Sequence, residues 1–422
     1  MRTNDALEMT LPRLPANLDE AFAASLDRLG PFEERPTLAI AVSGGADSMT
    51  LALLARDWVT HRDGHVHALV VDHGLRVESP VEAAATIEQL AAIGIPATLL
   101  TLTALTRGPA LAERARIARY EALTAACRAH GWLHLLLGHH AADQAETLAM
   151  RVLRQSGSHG LAAMPALSET RDVRLLRPLL AIEPAALRCF LQARGVAWVE
   201  DPSNRDRTAL RPRLRQRLGG SGSDKLTAAA RVAGVVRGRE EEAIAVELAA
   251  IATLRPEGFV QLPRRRISPG ALASLIQTVG GAAYPPNAAQ LADLVADLRP
   301  ATLAGVRVIE AGAGVLLVRE EAAMAEPIVA CPGARWDGRM RLLSNVPMPD
   351  GTTIGALGDQ AARFRKCSTL PSVVLRTLPV LRCGKELLAV PHLSYVGEDG
   401  PTGVAFCFDP PRPAGRACFR SI

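Results

Sequence analysis

From residue 37 onward, short apolar runs alternate with longer stretches of helical periodicity. Thr37–Val42 reads as a buried strand, followed by Ser43-Gly44-Gly45 and a helical pattern through Trp58. Residues 66–71, 97–102 and 133–137 predict three further strands. Residues 82–92, Leu111–His130 and residues 143–154 predict the helices between and after them. Continuous apolar strands separated by helices predict an α/β fold, a doubly wound parallel sheet covered on both faces.

The second half of the chain has another rhythm. Pro184 stands at a helix start, and an arginine-rich segment ends near Leu218. The run Gly219-Gly220-Ser221-Gly222-Ser223-Asp224 reads as a linker. Beyond it, residues 226–251, 269–278 and 287–298 read as helices, with Ser268 as an N-cap and Pro269 in the first helical position. The last hundred residues mix short strands with Gly and Pro turns. Three domains are expected: residues 1–218 (α/β), 225–322 (mainly helical) and 326–422 (small α+β).

The composition is that of a globular chain, and no apolar run approaches the roughly 20 residues that span a bilayer. The N-terminus lacks the pattern of a signal peptide, so a cytoplasmic protein with no membrane partner is expected. Seven cysteines without a C-x-x-C pair argue against a disulfide framework, a zinc knuckle or a cysteine-held cluster. The basic residues are 45 arginines and three lysines (Lys225, Lys366 and Lys385), so the first 224 residues contain no lysine. A Walker-type phosphate loop, which needs one, is excluded there.

The sharpest motif is Ser43-Gly44-Gly45-Ala46-Asp47-Ser48, between a buried strand and a helix. Glycines let the backbone approach an anion, and the N–H groups of the following helix point at it. Ser43 and Ser48 add hydroxyl donors. Asp47 is out of place beside phosphates unless a cation lies between them, which suits pyrophosphate with Mg²⁺. A tight turn with an aspartate cap is the plainer alternative. Asp72-His73-Gly74-Leu75-Arg76 closes the second strand, where it would floor an adenine or ribose or simply form a capped turn. His139-His140 and then Asp143 and Glu146 follow the fourth strand. The two acids share one helix face, a natural Mg²⁺ site with Asp47, although acids also favour helix N-termini for electrostatic reasons alone. Arg116 and Arg119 lie on the arginine-rich helix as candidate phosphate contacts, or as part of a solvated face.

The order S-G-G-x-D-S, V-D-H-G-L-R, A-R-x-x-R-Y and H-H-x-x-D-Q-x-E-T, with Trp198-Val199-Glu200-Asp201-Pro202-Ser203-Asn204, resembles the tRNA(Ile)-lysidine synthetases of the PP-loop ATP pyrophosphatase superfamily. That resemblance implies ATP and Mg²⁺ as cofactors and, as partners, free L-lysine and an isoleucine tRNA with a CAU anticodon. It implies that ATP adenylates the wobble cytidine, releasing pyrophosphate, and that lysine then displaces AMP. The nucleotide would be held by Ser43, Gly44, Gly45, Ala46, Asp47, Ser48, Asp72 and His73. Asp47, Asp143 and Glu146 would hold metal and, with Arg116 and Arg211, carry catalysis. Residues 1–218 would form the catalytic PP-loop domain and residues 225–322 a tRNA-binding domain, and a homodimer is allowed for. Six arginines between Arg205 and Arg217, and Arg264-Arg265-Arg266, would grip RNA phosphates. Two departures stand out: Ala142 replaces an aspartate common in the family, and Pro212 interrupts the segment after Arg211. A sulfur-inserting PP-loop tRNA enzyme is the alternative, disfavoured by the missing C-x-x-C. An amidotransferase lacks its glutaminase segment here, and a non-catalytic RNA binder would not need the intact loop.

Overall fold

The computed structural model describes residues 17–421 apart from 77, 104, 107 and 200–209. The chain divides into two compact units, one running to Arg239 and including the segment from Phe419, the other spanning Glu240–Cys418.

The first unit opens with α1 (Leu18–Leu29), capped by the Asn17 side chain. Then follow β1 (Thr37–Val42), α2 (Ala46–Thr60), β2 (His65–Asp72), α3 (Ser79–Ala92) and β3 (Ala97–Thr101). After α4 (Leu111–His130) come β4 (His134–Leu137), α5 (Ala141–Leu153) and a single turn, α6 (Ser158–Leu161). Two short strands, β5 (Leu167–Glu169) and β6 (Arg174–Leu176), precede α7 (Pro184–Ala193). The strand order is β3-β2-β1-β4-β6-β5, parallel except for the antiparallel pair of β5 and β6. Ala39 and Ala41 of β1, Leu69 of β2 and Leu135 and Leu137 of β4 bury one sheet face against Leu123 and Cys127 of α4. This is the expected doubly wound sheet, and burial on both faces explains its unbroken apolar strands.

The glycine-rich run read as a linker is not one. It lies inside α8 (Leu210–Ile251), an uninterrupted helix of 42 residues. The boundary between the units falls further along that helix, after Arg239. Tertiary packing accounts for the continuity: Leu226 and Ala230 of α8 pack with Leu148, Leu161 and Ala163. Gly234 and Gly238 let the chain end lie close, since a Cβ at Gly238 would meet the Phe419 carbonyl oxygen at 2.6 Å. The amide of Ala166 donates to the carbonyl of Arg420 at 2.9 Å. The Arg420 guanidinium donates to the carbonyl of Arg28 at 2.7 Å.

In the second unit, α9 (Pro269–Gly280) and α10 (Ala288–Ala296) form where expected, with Ser268 and Asn287 as caps. The region expected to be mainly helical also builds a five-stranded antiparallel sheet, from β7 (Thr253–Leu254), β8 (Val260–Pro263), β9 (Ala301–Leu303), β10 (Val306–Ala311) and β11 (Gly314–Arg319). Residues 328–408 add a second five-stranded sheet and a three-stranded one. Asp337 ties this unit from within, its carboxylate accepting from Arg319 Nε and Arg339 Nε at 2.9 Å each. Among the described residues, no helix is long and apolar enough to cross a membrane.

Candidate active site

In an open parallel sheet, ligands bind where the strand order reverses, outside the carboxyl ends of the strands. Here that point lies between β1 and β4, which are direct neighbours. Residues 43–45 leave β1 and α2 begins at Ala46. The Ser43 amide donates to Ser48 Oγ at 3.1 Å, and Ser48 Oγ donates to the Gly45 carbonyl at 2.9 Å. These bonds close the loop on the helix, and no side chain caps the start of α2. Gly44 has φ +80°, the left-handed region, and a Cβ there would meet Thr86 Oγ1 at 2.4 Å. Gly138, at the end of β4, is pressed against this turn: a Cβ would lie 3.4 Å from the Ser48 Cα.

Residue types on the β4 side complete the site. His140 is buried at the N-cap of α5, its backbone N–H donating to Asp143 Oδ2 at 3.1 Å. Its Nε2 lies 3.4 Å from Asp47 Oδ2, and its Nδ1 lies 3.7 Å from Asp143 Oδ2. The imidazole therefore lies between the carboxylates that begin α2 and α5, nearer to Asp47. Glu146 lies one turn along α5, buried. Among the described residues, no group of three or more His, Cys, Asp or Glu is arranged to hold a metal ion, so Asp47, Asp143 and Glu146 do not close around one point. The donor chemistry still fits Mg²⁺, which takes one or two carboxylates and completes its shell with phosphate oxygens and water.

At the end of β2, Asp72 is buried. Its Oδ1 accepts the Gly74 amide at 2.9 Å and the Ser79 hydroxyl. It thus holds the turn that carries His73. On α4, the Arg116 guanidinium lies 5.1 Å from the centre of the Tyr120 ring. Burial first, then the charges of Arg177, Arg116 and Arg119 with Asp143 opposing, push the His139 ring down to about 3, so it is neutral.

Val199 joins the loop from far along the sequence, its amide donating to the Gly44 carbonyl at 2.8 Å. The block that begins at Trp198 thus meets the phosphate loop, although its residues 200–204 lie outside the described residues. Arg205 and Arg207 lie outside them too, and of Arg211, Arg215 and Arg217 only the helical backbone is described. Sequence reasoning missed the place of His140 between the carboxylates, Thr86, Val199 as a loop partner, and Arg177. The histidine pair pointed to His140 and the block from Trp198 to the segment of Val199, whereas nothing in the sequence pointed to Thr86 or Arg177. Cys127 is buried and its thiol is pushed up to about 11 by burial, which makes it a poor nucleophile.

A family profile described as a PP-loop domain matches residues 18–221. A tRNA(Ile)-lysidine synthase of Ruegeria pomeroyi is 36% identical over 371 residues, covering 84% of this chain and 88% of that one. One of Caulobacter vibrioides is 35% identical, covering 86% of this chain and 88% of its own. A third, of Mesorhizobium japonicum, is 36% identical and covers 76% of each chain.

Proposed function

This chain belongs to the tRNA(Ile)-lysidine synthase family, and we propose that it joins lysine to the wobble cytidine of an isoleucine tRNA with a CAU anticodon. The observation that carries the reading is the phosphate loop at the switch point, with Asp47 and Asp143 on either side of His140. ATP would adenylate the C2 oxygen of cytidine, releasing pyrophosphate, and the lysine amine would then displace AMP.

The residues divide this work by position. N–H groups at the start of α2 and the hydroxyls of Ser43 and Ser48 would hold pyrophosphate oxygens, where negative charge builds as the bond breaks. Asp47 and Asp143 would hold Mg²⁺, which neutralises that charge when bound. His140, between the two carboxylates, would help position Asp47 from the start of α5. Asp72, committed to its own turn, would shape the adenosine side through His73. Glu146, buried one turn from Asp143, adds negative charge that suits an incoming ammonium group. Beside α5, a cavity of about 280 Å³ is lined by Gln144, Glu183, Asp224, Thr227 and Arg231, among others. Its two carboxylates and one guanidinium complement a free amino acid in charge.

The test supplies ATP, radiolabelled lysine and tRNA transcripts to the purified chain and measures label in RNA. The expected product is a cytidine heavier by one lysine minus one water. A sulfur-for-oxygen mass change, or AMP release that ignores lysine, would refute the reading.

A further inference from the structure

Arg177 follows β6 directly, at the carboxyl edge of the sheet and on the side of β4 away from β1. It is only 7% exposed. Its Nη1 donates to the Pro165 carbonyl at 2.9 Å and to Ser168 Oγ at 3.0 Å, and the guanidinium also bonds the Tyr120 hydroxyl. Its Nε is buried without a hydrogen-bond partner, as is Nδ1 of nearby His139. Arg116 and Arg119 approach from the first half of α4, and all three guanidiniums act on the His139 ring. Among the described residues none of the three forms an ion pair with a carboxylate, and Asp143 is the one acid acting on that ring.

Burying guanidinium groups without a counter-charge costs free energy, because each loses hydration that no carboxylate replaces. Such a cluster persists where an anion completes it in the working complex. Guanidinium forks held by carbonyl and hydroxyl partners match phosphate oxygens in geometry, and Tyr120 and Ser168 fix that orientation in advance. The place in the sheet limits which phosphate it is. The nucleotide loop lies after β1 and the adenosine side toward β2, whereas this cluster lies over β4 and β6, on the opposite flank. We propose that Arg177, Arg119 and Arg116 form a seat for a backbone phosphodiester of the bound RNA, next to the base that reacts. The inference rests on the reading of the substrate as a tRNA. Arg177 is the fixed wall of the seat, and Arg116, exposed at its mouth, is the part that moves onto the strand.

The experiment uses the full chain and the variants Arg177→Gln, Arg177→Lys and Arg119→Gln. The last removes a charge that makes no hydrogen bond among the described residues, so it guards against misfolding of the first. Binding of the cognate tRNA is measured across a salt series, and binding of ATP alone is measured in parallel. Each glutamine variant is expected to flatten the log–log salt slope by about 0.7–0.9, the value for one lost phosphate contact. Arg177→Lys should restore the slope, and ATP affinity should stay within about twofold throughout. Weakened ATP binding with an unchanged tRNA slope would assign the anion to the nucleotide and overturn the proposal. Unchanged tRNA and ATP binding in both glutamine variants would reduce the cluster to scaffold and overturn it as well. A wild-type chain that binds no tRNA would overturn the substrate reading and this seat together, a result distinct from either.

Discussion

Replacing Gly44 with alanine adds one methyl group at the tightest point of the phosphate loop. Two separate costs follow from the structure. The left-handed backbone at φ +80° is open to glycine but costs an L-residue about 1–2 kcal/mol. The new Cβ would also stand 2.4 Å from Thr86 Oγ1. That hydroxyl is not free to swing away, because it donates to the Glu82 carbonyl at 2.8 Å within α3. Overpacking of this kind costs about 1–3 kcal/mol. Thr86→Ala removes the clashing oxygen, and the remaining Thr86 Cβ would sit at an ordinary 3.6 Å. A cycle of Gly44→Ala, Thr86→Ala and the double variant therefore separates the two costs. Denaturant unfolding of the first unit should show a favourable coupling of about 1–3 kcal/mol, with the backbone cost surviving in the double variant. ATP-dependent pyrophosphate release should fall by about a hundredfold in Gly44→Ala, since misplacement of the loop by an ångström is enough for that. Additive effects on stability, within about 0.5 kcal/mol, would refute the steric argument.

Four further outcomes are expected. Asp47→Asn and Asp143→Ala should each abolish adenylation, followed by AMP formation; thermal unfolding should be nearly unchanged in Asp47→Asn, whereas Asp143→Ala also loses its bond to the His140 amide at the start of α5 and should cost about 1 kcal/mol. Asp337→Asn should destabilise the second unit by about 3–5 kcal/mol in urea, because it strands two buried guanidiniums. Burial alone would raise the Asp337 carboxyl, but hydrogen bonds and charges from Arg319 and Arg339 hold it below its ordinary 3.8, so its stabilisation is present above that pH and is lost as pH falls further. His139, with its folded value near 3 against 6.5 unfolded, should weaken the first unit as pH falls below 6.5, and NMR should find its ring neutral at pH 5. Exchanging Arg213, Arg215 and Arg217 for glutamine should lower the tRNA salt slope by about 0.7–0.9 per lost contact, and an unchanged slope would return them to a solvated face.

The phosphate loop was legible because it is local: an apolar strand, two glycines and a helix start follow one another without a gap. The parallel sheet was legible for the same reason, since double-sided burial writes continuous apolar runs. Val199 and Arg177 were not, because each reaches the site through tertiary structure. Val199 lies far along the chain from Gly44, and β6 is only three residues long, too short to show a period. The glycine run in α8 misled because each helical glycine costs about 1 kcal/mol, a local penalty that packing overrides. In the second unit the alternation in Val306–Ala311 was present in the sequence, but the flanking helices dominated the pattern.

The short return of residues 419–421 onto the first unit imposes an order on biosynthesis. A ribosome delivers the catalytic sheet early, and domains begin to fold in that order as they emerge. The carbonyl of Arg420 that receives the Ala166 amide, and the Phe419 ring that takes the Arg237 guanidinium at 4.6 Å, are translated only after the whole second unit. The nascent catalytic unit therefore waits, unfinished along one edge of α8, until synthesis has passed residue 418. A frameshift or premature stop late in the message would leave its damage in the unit that was made first.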